Sequence, residues 1–235
     1  MIKNFIFIFS IGAGLLACSS VNTISVDSDN VPITAKYEEK NKIDSIIGPY
    51  RVEMEDEMLE VIAQAENDFT KGRPNAPLNN WCADAILNSQ LIEKKADLPV
   101  LCLLNVGGLR SPINKGLITL GDIFKLMPFD NEIVWVLMPA SSIYDIEEYL
   151  SKSGGEPIAG LEMNAGKFSL NDSLASESAF WVLTSDYLFN GGDHMDFFQK
   201  KLKVELTGVL MRDAMIMEAK RQEVLVWNND NRINL

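Results

Sequence analysis

A nearly unbroken apolar run from Phe5 to Ala17 stands behind a single Lys3, and its 13 residues are too few to cross a bilayer comfortably as a helix. The pattern predicts a secretory leader over 1–17. Residues 18–42 are polar with only isolated apolar positions, which reads as a tether, and the folded body is expected over 43–235. From Asp44 to Gln64, Met54, Met58, Leu59 and Ile62 recur at helical spacing against Glu53, Glu55, Asp56, Glu57 and Glu60. That spacing predicts an amphipathic helix with a solvated acidic face. Thr70 to Pro77 is a loop carrying Lys71, Gly72, Arg73 and two prolines. Leu78 to Lys94 then resumes a helical period through Trp81, Ala85, Ile86 and Leu91.

The period changes at Pro99. Pro99 to Leu104 is a short continuous apolar run ended by Asn105-Val106-Gly107-Gly108, the pattern of a strand buried on both faces. Thr119 caps a short helix with Asp122 in its first turn, and Pro128 ends it. Glu132 to Met138 reads as a strand, Ser142 starts a helix that stops at Gly154-Gly155, and Ala179 to Leu188 reads as a second, partly aromatic strand. Thr207 to Gln222 is the last expected helix, with Leu210, Ala214 and Met217 on one face, before a strand-like tail ending Arg232-Ile233. No repeat or low-complexity tract interrupts 43–235, so the expectation is one α+β domain, a mixed sheet flanked by helices.

Composition narrows the functions this body can serve. At 235 residues with 47% hydrophobic and 9% aromatic content the chain can build a sizeable core, which excludes disorder as its main state. With 21 basic against 33 acidic side chains the net charge is −12, a field that repels nucleic-acid backbones, so no nucleic-acid partner is expected. An anionic small molecule would need a local positive site. The single histidine, His194, argues against a self-contained dinuclear metal centre, which draws on several imidazoles. Of the three cysteines, Cys82 and Cys102 fall in the folded body, where one disulfide and two buried thiols are equally compatible with an exported chain.

The third cysteine sits in Leu15-Leu16-Ala17-Cys18, which resembles the bacterial lipoprotein cleavage signature. The resemblance implies removal of 1–17, lipidation of Cys18, and an exported protein anchored to a bacterial membrane at the periplasmic face or the outer membrane.

Two glycine-containing loops each follow a buried strand. Asn105-Val-Gly-Gly-Leu-Arg110 lets backbone approach a ligand and sets a guanidinium two residues beyond Gly108. Tyr187-Leu-Phe-Asn-Gly-Gly-Asp193 joins an aromatic face to a carboxylate six residues on, suited to stacking a base and accepting from ribose hydroxyls. Between them, Pro128-Phe129-Asp130-Asn131 offers another ring and an amide. In this order the three motifs resemble the C-terminal substrate-binding domain of the 5′-nucleotidase and UDP-sugar hydrolase family. Pro77-Leu78-Asn79-Asn80 with Ala83-Asp84-Ala85, Ser111-Pro112-Ile113 before Gly116-Leu-Ile-Thr119, and Asn231-Arg232-Ile233 extend the likeness over about 45–235.

The resemblance implies a base held between Phe129 and Tyr187, ribose hydroxyls on Asp193, base hydrogen bonds from Asn105 and Asn131, and phosphate facing Arg110, with Arg73 as a second cation. Gly107, Gly108, Asn190, Gly191 and Gly192 complete the binding loops. The chain departs from the family pattern at Tyr187, where the better-known members carry Phe, at Val106, where a small residue is common, and at His194, where glycine is usual. His194 reads as a polar neighbour rather than a catalyst. The family's metallophosphoesterase domain, with its Gly-Asn-His-Asp/Glu run and Asp-x-His, has no counterpart in these residues. The expectation is therefore a nucleotide-recognition domain that supports hydrolysis with a separately encoded metallophosphoesterase. That partner would supply the divalent metals, with no cofactor in this chain. The alternative is a membrane-tethered lipoprotein that binds nucleosides or nucleotides for scavenging.

Overall fold

The computed structural model describes Asn30 and residues 42–93, 97–168 and 178–235; the leader over 1–17, Cys18 and the tether up to residue 41, Asn30 excepted, lie outside the described residues. The chain divides into Met1–Ile46 and Ile47–Leu235, and the second unit carries the fold described below.

Helix α1, Lys42–Met58, exposes Ile46, Val52 and Met54 along with its acidic residues, so the expected apolar face is not buried there, and it stops at Met58, six residues short of the expected end. Val61–Ala65 is instead a strand, β1, antiparallel to β3, Gly116–Thr119, with Val61 opposite Thr119 and Ala65 opposite Gly116. Over five residues the apolar positions fit either period, and long-range pairing decides between them. Helix α2, Pro77–Glu93, begins on proline, whose missing N–H costs nothing in a first turn. It buries Leu78, Trp81, Cys82, Ala83, Ala85 and Ile86.

Five strands build the main sheet: β2, Val100–Leu103; β4, Glu132–Pro139; β5, Ile158–Ala159; β8, Ala179–Ser185; and β9, Lys203–Leu210. They lie side by side in the order β5-β2-β8-β4-β9. Strands β2 and β8 run parallel, and every other neighbouring pair is antiparallel. A small hairpin of β6, Met163–Asn164, and β7, Lys167–Phe168, stands apart. Period-two alternation divides the central strands between two cores. Ile133, Trp135, Trp181 and Leu183 face the side covered by α2, by α3, Leu120–Leu126, and by α6, Met211–Gln222. Val134, Val136, Phe180 and Val182 face the side covered by α4, Ile143–Ser153.

Three boundaries differ from expectation. Strand β8 ends at Ser185 instead of continuing to Leu188, because Ser185 Oγ accepts from Leu188 N at 3.1 Å and caps a short helix α5, Asp186–Phe189. The last helix starts at Met211 because Lys203–Leu210 pairs with β4, with Gly208 at φ +69° where the register shifts. The third is the early end of α1 already described. Cys82 and Cys102 are both free thiols, wholly buried, and burial pushes both thiols up, so they are unreactive core residues rather than a disulfide.

Candidate functional site

Strand polarity brings three distant loops together. Because β2 and β8 are parallel neighbours, the loops leaving their C-terminal ends emerge at one end of the sheet. Strand β4 is antiparallel to β8, with Ile133 opposite Ser185, so the loop entering β4 lies at that same end. Asn105 to Arg110, Phe129 to Asn131 and Tyr187 to Asp193 thus converge although up to 88 positions separate them.

Each loop is held from behind. In the first, Val106–Gly108 forms a 3-10 turn whose Val106 N–H donates to Glu156 Oε2 at 2.7 Å, and Lys71 Nζ donates to the Leu109 carbonyl at 2.6 Å. A Cβ on Gly108 would lie 2.7 Å from Asn105 Oδ1, so glycine is what lets Asn105 fold over the turn. In the second, the buried Arg212 donates to Asp130 Oδ1 at 2.6 Å and reaches the carbonyls of Met127 and Phe129 at 3.4 and 3.5 Å. Its guanidinium also stacks 4.2 Å from the Phe124 ring centroid. The anchored turn leaves the Phe129 ring 41% exposed. In the third, Gly191 at φ +91° turns the chain, and Asp193 and His194 follow at φ +51° and +61°.

Asn105, Gly107, Gly108, Arg110, Phe129, Asn131, Tyr187 and Asp193 line one pocket of about 330 Å³, within the size of small-molecule sites. Asp193 is its hydrogen-bonded centre. Oδ1 accepts from Tyr187 Oη at 2.9 Å, Oδ2 from Asn105 Nδ2 at 2.6 Å, and its backbone carbonyl from Tyr149 Oη at 3.1 Å. Burial, and next the charges of Glu156 and Asp193, push the Tyr149 phenol up to about 12, while hydrogen bonding to Asp193 and its charge raise Tyr187. Both therefore stay protonated donors near neutral pH. The exposed Arg110 lies 5.9 Å from the Phe129 ring centroid and donates to the Gly107 carbonyl at 3.3 Å.

Four expected residues sit elsewhere. Arg73 lines an adjoining depression of about 580 Å³ with Tyr149, Gly191, Gly192 and His194. Its Nε donates to the Gly155 carbonyl at 2.8 Å and its guanidinium pairs with Glu156, so its charge holds the carboxylate that holds the Gly-Gly turn. It supports the first loop and stands outside the lining of the first pocket. Asn190 donates to the Asp186 carbonyl at 2.8 Å and closes α5. Gly191 and Gly192 shape the wall without lining the pocket: a Cβ on Gly192 would lie 2.5 Å from the Tyr187 ring. Glu156, Arg212 and Tyr149 carry no local sequence signal for their part, since their partners lie 50, 82 and 44 positions away.

Among the described residues no group of three or more His, Cys, Asp or Glu stands together as metal ligands. No described helix is long and apolar enough to cross a membrane.

Residues 61–156 match the family model of the 5′-nucleotidase C-terminal domain. Over that segment the chain resembles the 5′-nucleotidase C-terminal domain. The 5′-nucleotidase C-terminal fold extends beyond the matched segment, since the solved 5′-nucleotidase precursor of Thermus thermophilus superposes at a TM-score of 0.66 and 22% identity, covering 81% of this chain and 42% of that one. The NAD nucleotidase of Haemophilus influenzae gives 0.59 and 19%, covering 96% and 45%. Among curated proteins, the trifunctional nucleotide phosphoesterase protein YfkN of Bacillus subtilis strain 168 is 25% identical over 242 residues, 88% of this chain and 16% of that protein. The chain thus spans less than half the length of these relatives.

Proposed function

We propose that this 5′-nucleotidase C-terminal-like domain binds a nucleoside or nucleoside monophosphate and supports nucleotide hydrolysis together with a separately encoded metallophosphoesterase that brings the divalent metals. One observation carries the reading: two exposed rings, Phe129 and Tyr187, share a pocket with a hydrogen-bonded carboxylate, Asp193, and an exposed guanidinium, Arg110. The rings take the faces of a base, worth roughly 1–3 kcal/mol per stacked ring. Asp193 accepts from the ribose hydroxyls, Asn105 and Asn131 present amides to the base edge, and Arg110 meets the phosphate. Hydrolysis is assigned to the partner because the residues meeting in the pocket bind and orient, and His194 lies outside that lining. The test is a phosphatase assay on AMP with divalent metal, this chain and the candidate phosphoesterase, separately and mixed. Stimulation on mixing supports the proposal, and its absence removes it.

A second reading, a nucleoside-binding lipoprotein with no enzymatic part, is favoured by two rings, a carboxylate and a guanidinium meeting in one pocket, a set sufficient to bind a nucleoside. It predicts that calorimetry with adenosine shows binding without a partner and that scavenging continues in cells lacking neighbouring phosphatases. Both readings place the protein outside the cytoplasm on a lipidated Cys18. Mass spectrometry of the mature N-terminus tests that placement, and an unmodified Cys18 refutes it.

A further inference from the structure

Asp193 occupies a position that would ordinarily leave its carboxylate loose. It is exposed, stands at the end of a glycine turn, and adopts φ +51°, a left-handed conformation uncommon for a residue with a side chain. Yet both oxygens have donors, Tyr187 Oη on Oδ1 at 2.9 Å and Asn105 Nδ2 on Oδ2 at 2.6 Å. One donor on each oxygen fixes the plane of a carboxylate, and each oxygen keeps further acceptor capacity. Tyr149 Oη pins the Asp193 backbone carbonyl at 3.1 Å from the other side.

Tyr187 cannot move independently of this arrangement. Its ring lies so close to Gly192 that a Cβ there would come within 2.7 Å of three ring carbons, and its backbone N–H donates to Asp186 Oδ1 at 2.7 Å. One side chain therefore both walls the pocket with its ring and, together with Asn105, sets the orientation of the carboxylate.

We infer that the phenol oxygen of Tyr187 is a positioning group that holds the Asp193 carboxylate ready for a vicinal diol, so that ring stacking and diol recognition act as one rigid unit. The inference rests on the nucleoside reading above. A preoriented carboxylate offers its remaining acceptor sites to two neighbouring hydroxyls without first losing side-chain freedom, which is the source of the affinity gained. Phenylalanine differs from tyrosine only by this oxygen, so the variant Tyr187→Phe keeps the stacking face and frees Oδ1, leaving the carboxylate held by Asn105 alone.

The experiment titrates the full chain and its Tyr187→Phe variant by calorimetry with adenosine and with 2′,3′-dideoxyadenosine, which lacks the diol. The expected result is adenosine binding weakened about fivefold, the scale of one lost hydrogen bond, with dideoxyadenosine binding unchanged. In an Asp193→Ala background the same substitution is expected to have no further effect, because the oxygen acts through the carboxylate. Equal weakening of both ligands would assign the oxygen to ring placement and overturn the inference. Tighter adenosine binding would show it competing with the diol, and would overturn it too. If the unaltered chain binds neither ligand, the nucleoside reading itself fails, an outcome separable from either of these.

Discussion

Gly192→Ala tests whether the Tyr187 ring is a working wall of the pocket. An added Cβ would lie 2.5, 2.6 and 2.7 Å from three carbons of that ring, against about 3.5–4.0 Å for carbon atoms in contact. Something must retreat by about 1 Å. Gly192 carries no positive φ, so alanine imposes no backbone strain, and the ring is 48% exposed, so the side chain yields before the backbone does. Stability is then expected to change by less than about 1 kcal/mol, as for surface substitutions that spare the core. Binding should suffer far more. A ring displaced by 1 Å loses much of a stacking contact worth roughly 1–3 kcal/mol, which corresponds to adenosine affinity weaker by on the order of tenfold. Paired calorimetric titration and thermal melting measure the two effects. Unchanged affinity with an unchanged melting temperature would refute the assignment of Tyr187 to the pocket wall, and a large drop in melting temperature would refute the argument that the side chain yields.

Arg73→Ala strips the counter-ion from Glu156, which is 3% exposed; because Arg73 itself is half in solvent, the expected cost is about 2 kcal/mol in urea unfolding, with the adenosine-to-AMP affinity ratio unchanged. A selective loss of AMP binding would instead make Arg73 a phosphate ligand. Arg212→Met removes the hydrogen bonds to Asp130, Phe129 and Met127. It should cost about 1–3 kcal/mol and broaden the Phe129 ring signals in NMR, and sharp, unshifted signals would argue against the anchoring role. Burial alone would raise the carboxyls of Glu218 and Asp122, but donors from Arg221, Gln222 and Asn88 to the first, and from Thr119 and Lys125 to the second, bring both below their ordinary values of 4.5 and 3.8. A depressed folded-state carboxyl stabilises above the unfolded value and loses that contribution as pH falls through the folded one. Stability should therefore fall with acidification below pH 4.5, and Glu218→Gln should flatten the decline in unfolding experiments run from pH 6 to about pH 3. An unaltered slope would contradict the depressed Glu218 carboxyl.

Apart from β3, which is not among the expected elements, residues 99–154 are well read from sequence because their signals are local: a both-face-buried strand, the Thr119 and Asp122 cap, Pro128, and the Gly154 stop at φ +79° each act within a turn or two. The errors fall where partners are distant. Val61–Ala65 looks like the end of a helix until Gly116–Thr119 is beside it, and Lys203–Leu210 looks like the start of one until β4 pairs with it across a bulge at Gly208. The same division runs through the pocket. Its glycines, rings and carboxylate announce themselves by strand-end position, whereas Arg73, placed from its loop as a ligand cation, is paired with Glu156 from a segment 83 positions away. No local pattern marks Arg212 as the anchor of the Phe129 turn, since a buried guanidinium on an amphipathic helix reads like any solvated arginine.

The pocket hangs on the ends of three adjacent strands, β2, β8 and β4. Its loops spring from that sheet and cannot keep their spacing once the strands part. On heating, the capacity to bind should vanish in the same transition as the tryptophan near-ultraviolet dichroism, since Trp135 and Trp181 meet edge to face at 5.7 Å on the central pair β4 and β8. Amide exchange at Asn105, Phe129 and Tyr187 should speed up together under denaturant, as members of one cooperative unit rather than as three separate surface loops.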